Sequence, residues 1–117
     1  MLQIDLDTDD VLQDVRAPSA VGMLDDFTLS QNGTLLYGAD YEHGNVVVFP
    51  VDGHTGSKAT ILASQFKNPT SARWGCGGGF PETSLFVTEG NTLFGSTPDR
   101  MVLELTNARQ APDTSAL

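Results

Sequence analysis

At 117 residues the chain has room for one domain, and an apolar fraction of 39% suits a folded protein rather than a disordered one. A net charge of −9 argues against nonspecific binding to nucleic acid or to an anionic membrane surface. No apolar run approaches the roughly 20 residues of a membrane span, the N-terminus lacks the basic and apolar regions of a signal peptide, and the single cysteine, Cys76, excludes an intrachain disulfide framework. A cytoplasmic location is the default expectation.

The first element is Leu2, Ile4 and Leu6 alternating with Gln3, Asp5 and Asp7, the period of a half-buried strand. Thr8-Asp9-Asp10 is the turn into a second strand over Val11–Val15. Pro18 and Gly22 break the pattern. Asp5-x-Asp7-x-Asp9-Asp10 superficially matches a calcium loop, but Asp10 stands where the loop requires glycine and Arg16 where it requires glutamate. Strand alternation already explains Asp5 and Asp7.

Phe27-Thr28-Leu29 opens the next unit, and Ser30-Gln31-Asn32-Gly33 is a hairpin signal, because Asn-Gly tolerates positive φ. A strand over Thr34–Ala39, a turn over Asp40–Gly44 and the β-branched run Asn45–Phe49 follow. After the polar loop Asp52–Gly56, Ala59–Ala63 completes a four-stranded antiparallel meander. The third unit has strands near Thr70–Trp74, Leu85–Thr88 and Met101–Leu105, with the glycine-rich loop Gly75–Pro81 between the first two. The tail Asn107–Leu117 is small and polar and is expected to be disordered.

Two stretches, Leu24–Asp40 and Asn68–Glu89, read as the same strand–turn–strand unit at a period of roughly 45–50 residues, within the range of propeller repeats. The strand tally of two, four and three predicts an all-β fold of antiparallel four-stranded meander blades. At four strands per blade this is a partial β-propeller of about 2.3 blades. The expected division is a half blade over 1–17, a full blade over 24–64 and an incomplete blade over 69–106, with a flexible tail over 107–117. Such a fragment needs neighbours for its apolar flanks, so a homo-oligomer or pairing with another propeller fragment is expected.

Leu24-Asp25-Asp26-Phe27, Asn32-Gly33, Leu35-Leu36-Tyr37, Gly44–Phe49 and Asp52-Gly53, followed by Pro69–Gly75 and Leu85–Thr88, resemble in order and spacing consecutive blades of the senescence-marker/gluconolactonase (regucalcin-like) family, in its fungal-type members. The resemblance covers about residues 24–90, and more loosely 1–106. It implies a six-bladed propeller that hydrolyses lactones and related esters with a divalent metal, calcium or zinc, on its axis. The family's ligands are an early Glu, one or two middle Asn and a late Asp. Asp25 falls on that late Asp, which also serves as general base, and Asp26 replaces the usual glycine. The Glu and Asn ligands have no counterpart in this chain.

The resemblance carries over Asp25 alone, as metal ligand and base; Asp26, Thr70, Ser71 and Arg73, on strands expected to face the channel, are the expected contacts to a small-molecule substrate. Arg73 is suited to bidentate binding of a carboxylate. The competing reading is a turn cap at one aspartate, a solvated carboxylate at the other, and ordinary strand polarity at Thr70, Ser71 and Arg73. His43 and His54 are expected to be exposed loop residues and Cys76 a buried, inert thiol. Two further functions compete with the hydrolase: a metal-independent propeller catalyst of the kind that cyclises natural products, holding an apolar ligand in a reactive pose, and a non-catalytic truncated propeller or interaction module.

Overall fold

Each period-two or β-branched run in the sequence forms a strand. The computed structural model describes residues 2–51, 58–90 and 102–105, and among them there is no helix. The strands are β1 (Leu2–Ile4), β2 (Val11–Asp14), β3 (Leu24–Leu29), β4 (Leu35–Asp40), β5 (Asn45–Pro50), β6 (Thr60–Ala63), β7 (Pro69–Trp74), β8 (Leu85–Glu89) and β9 (Val102–Leu105). They form three antiparallel sheets, ordered β1-β2, β3-β4-β5-β6 and β7-β8-β9. The protein is therefore all-β, in the two-four-three grouping that the turn signals anticipate. The loop carrying His54 and the tail over 107–117 lie outside the described residues.

The Asn-Gly signal makes the β3–β4 turn for a local reason. Gly33 takes φ +73°, and the side-chain Oδ1 of Asn32 accepts from Ser30 Oγ at 2.7 Å, Thr34 N at 3.1 Å and Thr34 Oγ1 at 2.7 Å. The acidic turn between β1 and β2 is likewise closed from within, since Asp5 Oδ1 accepts from Asp7 N at 2.8 Å and Thr8 N at 3.3 Å.

The central sheet is covered on both faces. On one, Leu35, Tyr37, Val46 and Val48 pack against Phe66, Ala72, Leu85 and Val87, with half-buried Trp74 at the margin. On the other, Leu36, Val47 and Phe49 lie under Val15, Ala17 and Val21 of the β2–β3 connection. All of β4 is buried, because both faces of the strand are needed. The large apolar side chains left exposed lie mostly away from this sheet: Ile4, Leu6, Val11 and Leu12 on the first hairpin, and Phe80 on the glycine-rich loop.

The second and third sheets repeat one plan. Leu24 pairs with Asp40 as Pro69 pairs with Glu89, and Leu29 pairs with Leu36 as Trp74 pairs with Leu85. Just before each first strand, a backbone N–H donates to the acidic side chain that ends the second strand: Gly22 N to Asp40 Oδ2 at 3.0 Å, and Lys67 N to Glu89 Oε1 at 3.1 Å. Met23 O and Asn68 O accept from Tyr41 N and Gly90 N at 2.9 and 2.8 Å. Both first strands also slip register near their start, between Leu24 and Phe27 and between Pro69 and Ser71. Asp25, Asp26, Thr28 and Leu29 thus correspond to Thr70, Ser71, Arg73 and Trp74.

Candidate functional site

Asp25, Asp26, Thr70 and Ser71 sit at the two register slips, and Arg73 lies two residues beyond the second. Asp25 and Asp26 are inside β3, not ahead of it as the sequence suggested, and together they stand opposite Ala39. An extra residue of this kind re-aims the side chains around it. Asp26 turns toward β7. Its Oδ2 accepts from Ser71 Oγ at 3.0 Å and pairs with Arg73 Nη2 at 2.8 Å, and its Oδ1 accepts from Phe27 N at 2.8 Å. Asp25 is exposed, and among the described residues it takes no part in this network.

Arg73 and Trp74 also cover the open edge of β3. An edge strand has carbonyls with no ladder partner. Arg73 Nη1 donates to Phe27 O, and Trp74 Nε1 donates to Leu29 O at 2.7 Å. Thr70 is separate, with Oγ1 2.8 Å from Thr88 Oγ1. The structure therefore joins Asp26, Ser71 and Arg73, and leaves Asp25 and Thr70 outside the group.

Electrostatics follow the contacts. Partial burial pushes the Asp26 carboxyl up, but the hydrogen bonds from Phe27 N–H, Ser71 and Arg73, with the guanidinium charge, outweigh it and hold the carboxyl below its ordinary value. Asp26 is ionised at neutral pH and already satisfied. Arg73 is committed to Asp26 and to Phe27 O, so bidentate capture of a substrate carboxylate requires breaking that tie.

A second polar group was not singled out by sequence reasoning. Asp40, almost fully buried at 1% exposure, accepts from Gly22 N, from His43 N at 3.2 Å and from His43 Nδ1 at 2.9 Å. Asp40 raises the His43 pKa by hydrogen bond and charge, with a smaller push from Glu42. His43 is thus the solvent-facing loop residue expected, yet anchored. The signal was present in the acidic residue that closes the second strand of both repeats.

Cys76 departs from expectation: it is exposed. Gly77, Gly78 and Gly79 all take positive φ with open space around them. The loop they form carries the thiol out into solvent, and Arg73, its nearest basic residue in sequence, points to β3. Among the described residues no group of three or more His, Cys, Asp or Glu side chains is placed to hold a metal, and no helix is long and apolar enough to cross a membrane.

No protein-family model matches the chain, and no curated protein or solved structure matches it.

Proposed function

We propose that the three sheets are successive parts of a β-propeller resembling the gluconolactonase type, and that Asp25 is the carboxylate this chain contributes to a lactone- or ester-hydrolysing site on the propeller axis. One observation carries the reading. Equivalent positions of successive repeats meet at the first strands, where Ser71 Oγ lies 3.0 Å from Asp26, its own counterpart in the preceding repeat. First strands that converge in this way line the axis of a propeller, and the residues on their slips face one another there. The exposed Asp25 then stands free to act as general base toward a bound ester carbonyl's attacking water.

The described residues of this chain do not by themselves make up the metal site that the family resemblance implies. A hard divalent cation takes about six or more oxygens, Asp25 supplies one carboxylate, and Asp26 is neutralised by Arg73. Remaining ligands belong to units supplied by other copies or fragments.

The test is native mass spectrometry with and without chelator, beside hydrolysis of a panel of lactones and aryl esters. The expected result is an assembled, active species in which Asp25→Asn removes hydrolysis and leaves the copy number unchanged. A monomer that hydrolyses nothing overturns the reading. A non-catalytic interaction module is the second reading, favoured by the commitment of Asp26, Ser71 and Arg73 to an internal tie. An assembled protein that is inactive and metal-free selects it.

A further inference from the structure

The same strand position has two different surroundings in the two repeats. Tyr37 pairs across the ladder with Thr28, and Phe86 pairs with Arg73, its equivalent. Tyr37 is fully buried and meets the ring of Trp74, from the neighbouring sheet, edge to face at 4.8 Å and 76°. Phe86 is half-buried, and among the described residues no neighbouring sheet supplies its partner. It meets Phe80, from its own loop, edge to face at 5.2 Å and 69°. Phe80 itself is 53% exposed.

That loop is the main departure between the repeats. Ser30–Thr34 joins β3 to β4, whereas the longer segment 75–84 joins β7 to β8. Gly77 N donates to Phe80 O at 2.9 Å and Phe80 N to Gly77 O at 3.1 Å, which folds the loop back on itself. The extra residues deliver an aromatic ring to the place where, one repeat earlier, a neighbouring sheet delivers Trp74.

We propose that the face of the third sheet around Phe86 docks a further β-sheet unit whose first strand carries an arginine followed by an aromatic residue, and that Phe80 holds the place of that aromatic until docking. This deepens the propeller reading and rests on it. The internal interface supplies the template. There Arg73 reaches the edge carbonyl of Phe27, and its neighbour Trp74 fills the aromatic slot. The equivalent carbonyl on β7 is Ala72 O, which Arg73's own Nη1 reaches at 3.2 Å, and β7 is likewise the first strand at the edge of its sheet. The chain's net charge of −9 favours the approach of a cationic partner overall, although the cation at Ala72 O itself is Arg73, which must yield that carbonyl on docking. A second copy fits less well, because the position of Trp74 on its β3 is held by Leu29 and that of Arg73 by Thr28.

The experiment titrates the isotope-labelled full chain with a disulfide-cyclised hairpin peptide carrying residues 69–74 and 84–89, observed by NMR. Saturable shifts at Phe86 and Thr88 are expected. Phe80→Ala, which clears the slot, should tighten binding roughly two- to tenfold, the worth of one aromatic pair. Phe86→Arg should abolish it, with Thr88→Arg as a second block and a thermal melt to establish that each variant folds. A control peptide with its arginine and tryptophan replaced by alanine should not bind. Absence of saturable shifts with both wild type and Phe80→Ala overturns the proposal, as does binding indifferent to Phe80→Ala or to Phe86→Arg, or equal binding of the control. Self-association of the wild type that Phe86→Arg dissolves assigns the face to a second copy and overturns the choice of partner. The titration reads neither hydrolysis nor Asp25, so its failure is distinct from failure of the proposed activity.

Discussion

Tyr37 and Phe86 occupy the same rung of the same plan, yet one ring is sealed and the other half open. Both strands supply an aromatic at that rung, so the strand does not decide how much stability the ring contributes. The neighbouring sheet does. Tyr37 clusters with Trp74, Leu85 and Val87 of the neighbouring sheet, whereas among the described residues Phe86 meets one ring, from a loop. The largest effect expected in this protein follows. Tyr37→Ala should cost about 3–5 kcal/mol, the range for deleting a fully buried aromatic. Phe86→Ala should cost only about 1–2 kcal/mol, since a half-buried ring forfeits less apolar area and leaves no closed cavity. Urea unfolding of the two variants checks it. Equal losses would mean that Phe86 is sealed in solution, as it would be in an assembled protein.

Glycines sharpen the same contrast between the sealed and the open side. Gly44 takes φ +69°, and a Cβ there would fall 2.5 Å from Phe66 O, the backbone of a residue in the sealed interface. Gly78 takes φ +60° on the open loop with nothing within 4 Å. The left-handed conformation alone costs a non-glycine residue about 1–2 kcal/mol. Gly78→Ala should show that cost alone, and Gly44→Ala clearly more, because Phe66 must shift and its N–H bond to Gly44 O is disturbed. Thermal melts of both variants read the difference; a smaller loss at Gly44 would mean that Phe66 is loosely held.

The tie between the two first strands is weaker than either effect. Arg73 and Asp26 are 56% and 36% exposed, so their pair is heavily screened. Arg73→Ala should cost about 1 kcal/mol, most of it from the uncovered edge carbonyl of Phe27, whereas Asp25→Asn should leave the melt unchanged. The acid limb tests the assignment. Because the folded carboxyl of Asp26 lies below its ordinary value, its contribution is present above about pH 3.9 and is lost as pH falls through the lowered value. Arg73→Ala should diminish that part of the acid dependence. An unaltered acid limb would mean that the pair does not form in solution.

Strand positions were legible in the sequence because they rest on local rules: alternation at Leu2–Ile4, the β-branched run at Val46–Val48, Asn32-Gly33 at a turn. What escaped was set by contacts between distant segments. Asp26 and Ser71 are 45 positions apart, and only superposing the repeats brings them together. The sequence offered Arg73 as a substrate contact, since nothing local reveals that an edge carbonyl one sheet away would claim its guanidinium. Nothing local in the sequence distinguishes a buried from an exposed Cys76 within its glycine-rich loop. Gly75 does pack closely, with a Cβ there only 2.2 Å from Pro81 O, but the three positive-φ glycines that follow turn the loop outward.

The smallest effect expected concerns the anchor of the β2–β3 connection, which covers the other face of the central sheet. Asp40 holds that connection at Gly22 N and holds His43 in the following turn, while Glu42 Oε2 accepts from Met23 N at 3.2 Å. Asp40 favours the imidazolium, so the folded pKa of His43 lies above its ordinary value of about 6.5. A raised value means that the proton binds the folded state more tightly. The stabilisation is therefore complete below about pH 6.5 and fades as pH rises through the elevated folded value. His43→Gln should melt slightly earlier than wild type at pH 5.5 and together with it at pH 9, because exposure of the ring limits the charge effect. A gap between the two proteins that widens toward alkaline pH would instead place the proton on the unfolded chain, and Asp40 would then hold Gly22 without help from His43.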